Sequence, residues 1–189
     1  RSDAPVEKVQ FDWSGYYLGV GGRYTKVEDT DTLFPGFISS VTKYNVSAFA
    51  GFNYHLKDFV IGLEGDFTRM DADFTTAPIP VTANDIFSIR ARFGVPTDRA
   101  LWYVSAGGSY TSVTATYPFG IGNVDLTGYG AVIGFGVDYA ITDNVIAGVE
   151  FQRHFFKKFG KDDIPAAFAG LQVIDADVNL VSLKLAYKF

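Results

Sequence analysis

Residues 128–139 read Gly128-Tyr-Gly-Ala-Val-Ile-Gly-Phe-Gly-Val-Asp-Tyr139, and this stretch decides between helix and strand. Every second position is Tyr129, Ala131, Ile133, Phe135, Val137 and Tyr139, while Gly128, Gly130, Val132, Gly134, Gly136 and Asp138 fall between them. Successive side chains of a strand point to opposite faces, so this period of two predicts an extended segment with one large apolar face. Its apolar part, Tyr129 to Val137, holds three glycines. It is far short of the roughly 18 uninterrupted apolar residues of a membrane-crossing helix, and each glycine would cost a helix up to about 1 kcal/mol. A helical membrane protein is excluded.

The same alternation recurs along the chain. One face carries Tyr16, Leu18, Val20, Gly22 and Tyr24 in the first segment, and Tyr44, Val46, Ala48, Ala50, Phe52 and Tyr54 in the second. Phe59, Ile61, Leu63, Gly65 and Phe67 follow, then Phe87, Ile89, Ala91, Phe93 and Val95, then Trp102, Val104, Ala106, Gly108 and Tyr110. After the segment quoted above come Val145, Ala147, Val149 and Phe151, and last Val181, Leu183, Leu185, Tyr187 and Phe189. Eight antiparallel strands are predicted, joined by three tight turns near residues 56–58, 96–99 and 142–144 and by four long loops near 26–43, 70–85, 113–126 and 156–176. The long loops all fall at one end.

The composition narrows the class. The 189 residues include 48% apolar and only 20% charged residues, against roughly 25% charged in an ordinary soluble domain. Twenty glycines and 16% aromatics exclude disorder and collagen-like repeats. A net charge of −5 with scattered Lys and Arg leaves no basic patch for nucleic acid. The absence of cysteine excludes a disulfide framework and thiolate metal sites. The first residues, Arg1 to Pro5, include no Met, as expected after removal of a signal peptide.

Which face meets water is the functional question. A soluble sandwich or lipocalin-like barrel turns the apolar face inward, and a membrane barrel turns it outward. The polar face here is mostly Gly and Ser, which suits a cramped interior better than a solvated exterior. Its mid-strand charges are Arg23, Arg90, Arg92 and Lys184 against Glu64, Asp66, Asp138 and Glu150, four of each sign. Buried alone each would cost several kcal/mol, so a mutually neutralising lumen network is expected. Aromatics on the apolar face gather at both ends: Tyr16, Tyr54, Phe59, Trp102, Tyr139 and Tyr187 near the tight turns, and Tyr24, Tyr44, Phe67, Phe87, Tyr110, Tyr129 and Phe151 toward the long loops. Two such girdles are the mark of strands crossing a bilayer.

The opening Phe11-Asp-Trp-Ser-Gly-Tyr-Tyr-Leu-Gly19 and the ending Leu183-Lys-Leu-Ala-Tyr-Lys-Phe189 resemble the outer-membrane β-barrel family common in alphaproteobacteria, related in architecture to OmpA- and OmpX-type barrels. The resemblance implies an all-β, eight-stranded antiparallel up-and-down transmembrane barrel over residues 13–189, after a periplasmic N-terminal tail, residues 1–12. It implies an outer-membrane location with both termini periplasmic, and it makes the terminal Tyr187 and Phe189 resemble the signal read by the barrel-assembly machinery.

The remaining motifs are weaker. Arg153, Lys157, Lys158 and Lys161 surround Phe155, Phe156 and Phe159, where lipopolysaccharide phosphates are expected. His55 and His154 lie at opposite ends and share no metal; pairing of His154 with Glu150 is the one enzyme-like arrangement, and no second motif supports it. Asp29/Asp31, Asp71/Asp73 and Asp175/Asp177 read as solvated loop acids, and Asn45-Val-Ser47, a glycosylation pattern, falls mid-strand. No cofactor, metal or catalytic residue is expected. The function implied is a structural barrel whose loops contact a host or surface ligand; a narrow porin-like channel for small solutes and a soluble lipocalin-like binder are the alternatives.

Overall fold

The computed structural model describes residues 10–29, 41–76, 79–117, 122–157 and 176–189. They form β1 (Gly15–Asp29), β2 (Val41–Leu56), β3 (Phe59–Thr76), β4 (Ile79–Thr97), β5 (Ala100–Tyr117), β6 (Gly122–Ala140), β7 (Val145–Lys157) and β8 (Ala176–Lys188). Each strand pairs antiparallel with its chain neighbour, and β1 pairs β8, closing the barrel.

The register gives the geometry. Tyr24 of β1 pairs directly with Tyr44 of β2. Followed the other way round, the ladder runs from Tyr24 to Val181, Phe151, Phe135, Val104, Phe93, Ile61 and Tyr54, ten residues from Tyr44. That stagger requires strands tilted by about 35–45° and leaves an eight-stranded interior just wide enough for side chains to fill.

Strands β3–β6 run further than the alternation analysis placed them. Residues 70–76 with 79–85, and 113–117 with 122–126, are expected as loops but pair as strand, with register shifts at Arg69/Ala72 and Ala83/Asp85. Backbone pairing continues past the membrane pattern because consecutive antiparallel strands satisfy each other's amides in water as well as in lipid. The tight turns lie where expected. Asp98 takes the left-handed conformation, φ 52°, between β4 and β5, and Thr142 Oγ1 accepts the Val145 amide at 2.9 Å before β7.

The apolar face points out. Leu183 is 67% exposed and Trp102 60%. The two girdles on β1, Tyr16 and Tyr24, are eight residues apart, about 20 Å along the barrel axis at this tilt, comparable with the roughly 25 Å apolar band of a membrane barrel.

Candidate functional site

The lumen is organised in three layers. At the tight-turn end the chain preceding β1 folds into the barrel mouth. Phe11 and Trp13 pack edge-to-face with ring centroids 4.9 Å apart and join Phe49, Val60, Leu101, Tyr103 and Ile146 in a buried cluster. The Trp13 amide donates to His55 Nδ1 at 3.4 Å, and the His55 amide donates to Ser14 Oγ at 3.1 Å. Gly15, at φ 128°, makes the turn from this segment into β1. Arg99 and Lys188 lie over the Phe11 ring, 5.4 and 5.3 Å from its centroid. The expected tail, residues 1–12, lies largely outside the described residues, yet Phe11 at its end is part of this core. Phe11 and Trp13 share a parity and an apolar character, but only the closed mouth gives them something to pack against.

In the middle, all eight charged residues singled out above join one buried network. Glu64 accepts from Arg90 Nη2 at 2.6 Å, from Arg92 Nη1 at 3.0 Å, from Lys184 Nζ at 2.9 Å and from the Tyr17 hydroxyl at 2.8 Å. Arg92 reaches Asp138 at 2.5 Å, and Lys184 and Arg90 both bind Glu150. Asp66 joins Arg90 at 3.0 Å to Arg23 at 2.7 Å and also accepts from Ser88. The Arg92 guanidinium lies 3.7 Å from the Tyr103 ring centroid, and Lys184 Nζ lies 4.3 Å from that of Phe49. Inward glycines make the room: a Cβ on Gly136 would lie 2.6 Å from the Tyr103 hydroxyl and 2.7 Å from the Val149 carbonyl.

Toward the other end the inward positions lose their charge and become a mixed layer, with Ile86, Val132, Phe156, Val178 and Leu180 buried beside Thr25, Asn45, Thr68 and Thr111. His154 belongs to this layer. It is fully buried, stacked on Phe156 at 5.8 Å, and its Nε2 meets Gln152 Oε1 at 3.1 Å, while Gln152 Nε2 donates to Glu150. Gln152 therefore separates His154 from Glu150, and no rim-exposed acid–base pair exists there. Gln152 carries no charge, so a balance of charges does not single it out, although its parity places it in the lumen.

The other candidates disperse. Arg153 faces outward at the Tyr24 girdle, with Nη2 2.7 Å from Asp177 of β8 and its guanidinium 5.3 Å from the Phe155 ring centroid. Lys157 ends β7, and Lys158 and Lys161 lie outside the described residues. Asp71 and Asp73 belong to β3 and Asp29 ends β1, while Asp31 and Asp175 lie outside the described residues. Asn45 and Ser47 line the lumen. Tyr187 and Phe189 are outward, their rings 5.2 Å apart, and the Phe189 amide donates to the Tyr16 carbonyl at 3.0 Å.

A closed barrel with its apolar side outward and its ions inward is matched by the model of the outer membrane protein beta-barrel domain over residues 4–189. The chain belongs to that family. It is an outer-membrane protein, and the soluble lipocalin-like alternative is thereby set aside. Among its relatives are the 25 kDa outer-membrane immunogenic protein of Brucella abortus, 26% identical over 98% of this chain and 84% of that protein, and the 22 kDa outer membrane protein of Rhizobium leguminosarum, 26% identical over 99% and 82%. Among solved barrels, Neisserial surface protein A aligns with TM-score 0.59 at 16% identity over 93% of this chain and 98% of that one. Ail of Yersinia pestis, solved with the heparin analogue sucrose octasulfate, aligns with TM-score 0.61 at 14% identity over 93% and 99%. Both share the fold of this outer-membrane barrel.

Proposed function

We propose that this protein is a non-conducting, non-enzymatic structural barrel that holds surface loops for contacts outside the cell. The observation that carries the reading is the filled lumen: a buried ionic belt between an aromatic base and an uncharged upper layer. The cavity beside Tyr17, Phe49, Asn53, Arg92, Asp138 and Lys184 measures about 10 Å³, room for about one water. A solute path would have to break several buried ion pairs at once.

In this reading both termini face the periplasm and the long connections face outside. Tyr187 and Phe189 serve the barrel-assembly machinery, and Arg153, Lys157, Lys158 and Lys161 meet lipopolysaccharide. The word "immunogenic" in the Brucella relatives' name supports exposed loops. The rival narrow channel is tested by planar-bilayer recording of the wild type, Glu64→Gln and Arg92→Gln. Silence in the wild type supports the closed scaffold, and steady unitary currents altered by either substitution overturn it.

A further inference from the structure

The lipid-facing surface is not uniformly convex. Across β4–β7 it holds a groove of about 590 Å³. Ala91 and Ala106, paired with each other, give it a small-residue floor, and Phe93, Ile133, Phe135 and Phe151 rise around them. The Phe135 and Phe151 rings, 5.4 Å apart, make one continuous wall. Arg153 also lines the groove, on the same ladder row through Ile133.

Arg153 stands where a head group belongs. It is level with the Tyr24 girdle, while Phe93 lies three strand steps and two residues lower around the tilted ladder. That is a drop of about 15 Å, through the outer half of the roughly 25 Å apolar band and just past its middle. Asp177 occupies Nη2 of Arg153, and although its Nε is buried, the side chain is 41% exposed. A part-exposed guanidinium is suited to a phosphate oxygen, and its fork geometry binds such groups more strongly than a point charge does.

We propose that this groove is a specific lipid site: it seats one acyl chain of a phosphorylated glycolipid, the lipid A part of lipopolysaccharide, whose phosphate is bound by Arg153. The site deepens the lipopolysaccharide contact proposed above and rests on the long connections facing outside, which puts Arg153 in the outer leaflet. Asp177 competes with the phosphate for the guanidinium and so tunes the site.

The test is native mass spectrometry of refolded barrels released from vesicles containing defined lipopolysaccharide or phosphatidylglycerol, with heat-modifiable gel migration as the check of closure. All substituted side chains face lipid, so closure is expected to survive. The wild type is expected to retain lipopolysaccharide, Arg153→Gln and Ala106→Phe to lose about tenfold of that retention, and Asp177→Asn to match or exceed the wild type. Retention by Arg153→Gln and Ala106→Phe equal to that of the wild type overturns the site. Loss in Asp177→Asn comparable with that in Arg153→Gln reduces the pair to a structural one and also overturns it. Phosphatidylglycerol held as strongly as lipopolysaccharide overturns the choice of lipid. None of these outcomes affects the bilayer recordings that test the closed scaffold.

Discussion

Lys184 Nζ lies 2.9 Å from both carboxylate oxygens of Glu64, although the two residues are 120 positions apart in the chain and reach each other across the lumen from β8 and β3. The pair ties opposite walls together, and Arg90 and Arg92 share the same carboxylate.

Removing one member of such a set leaves buried charge incompletely compensated, Lys184 with Glu150 alone or Glu64 with the two arginines alone. Glu64→Gln or Lys184→Met is expected to cost about 3–5 kcal/mol. The double variant should cost less than the sum of the two singles, because the attraction between Glu64 and Lys184 is lost in each single but only once in the double. Urea unfolding of refolded protein in detergent measures both effects, and strict additivity would show that the pair is not coupled.

The lipid face gives the complementary experiment. Leu183 is 67% exposed and lies midway between the girdles, so Leu183→Arg is expected to destabilise the barrel by about 2–4 kcal/mol in bilayers. Leu183→Ala should cost much less there, and the two substitutions should differ little in a soluble reference peptide.

The two tryptophans lie on opposite sides of the wall: Trp13 is 1% exposed inside the base and Trp102 is 60% exposed toward lipid. Brominated lipids are expected to quench Trp102 and spare Trp13. Trp102→Phe should therefore remove nearly all quenching while leaving emission, and strong residual quenching would mean the base plug is not closed.

Gly136 is constrained by its neighbours. Gly136→Ala places a methyl group against the Tyr103 hydroxyl and the Val149 carbonyl and is expected to cost about 1–3 kcal/mol, the range for overpacked sites. Combining it with Tyr103→Phe should recover part of that loss in thermal melts, since one of the two obstacles is removed.

The chain entering the base carries a pH signature. The Ser14 amide donates to Asp12 Oδ1 at 2.9 Å and holds the Asp12 carboxyl below its ordinary value of 3.8. A depressed carboxylate contributes stability above its unfolded value and loses it as pH falls through the folded one. Acidification below about pH 4 should loosen the segment around Trp13, and Asp12→Asn should flatten that dependence in Trp13 fluorescence, with an effect of at most about 0.5 kcal/mol for so exposed a group.

Strand count, parity and the direction of each side chain were legible in the amino-acid order, because a period of two leaves a residue only two faces to occupy. The eight lumen charges stood out for the same reason, being the ions on the small-residue face. Who pairs with whom was decided only by closure: the ten-residue stagger of the ladder sets which levels of β3, β4, β7 and β8 coincide, so Glu64 meets Lys184 and Gln152 comes between His154 and Glu150. Closure also made a core of Phe11 and Trp13, whose shared parity names no partner, and shaped the groove that ends at Arg153, whose floor and walls come from four strands. Local alternation is a property of the chain, whereas contacts across a lumen depend on tilt and register, which exist only once the sheet has closed on itself.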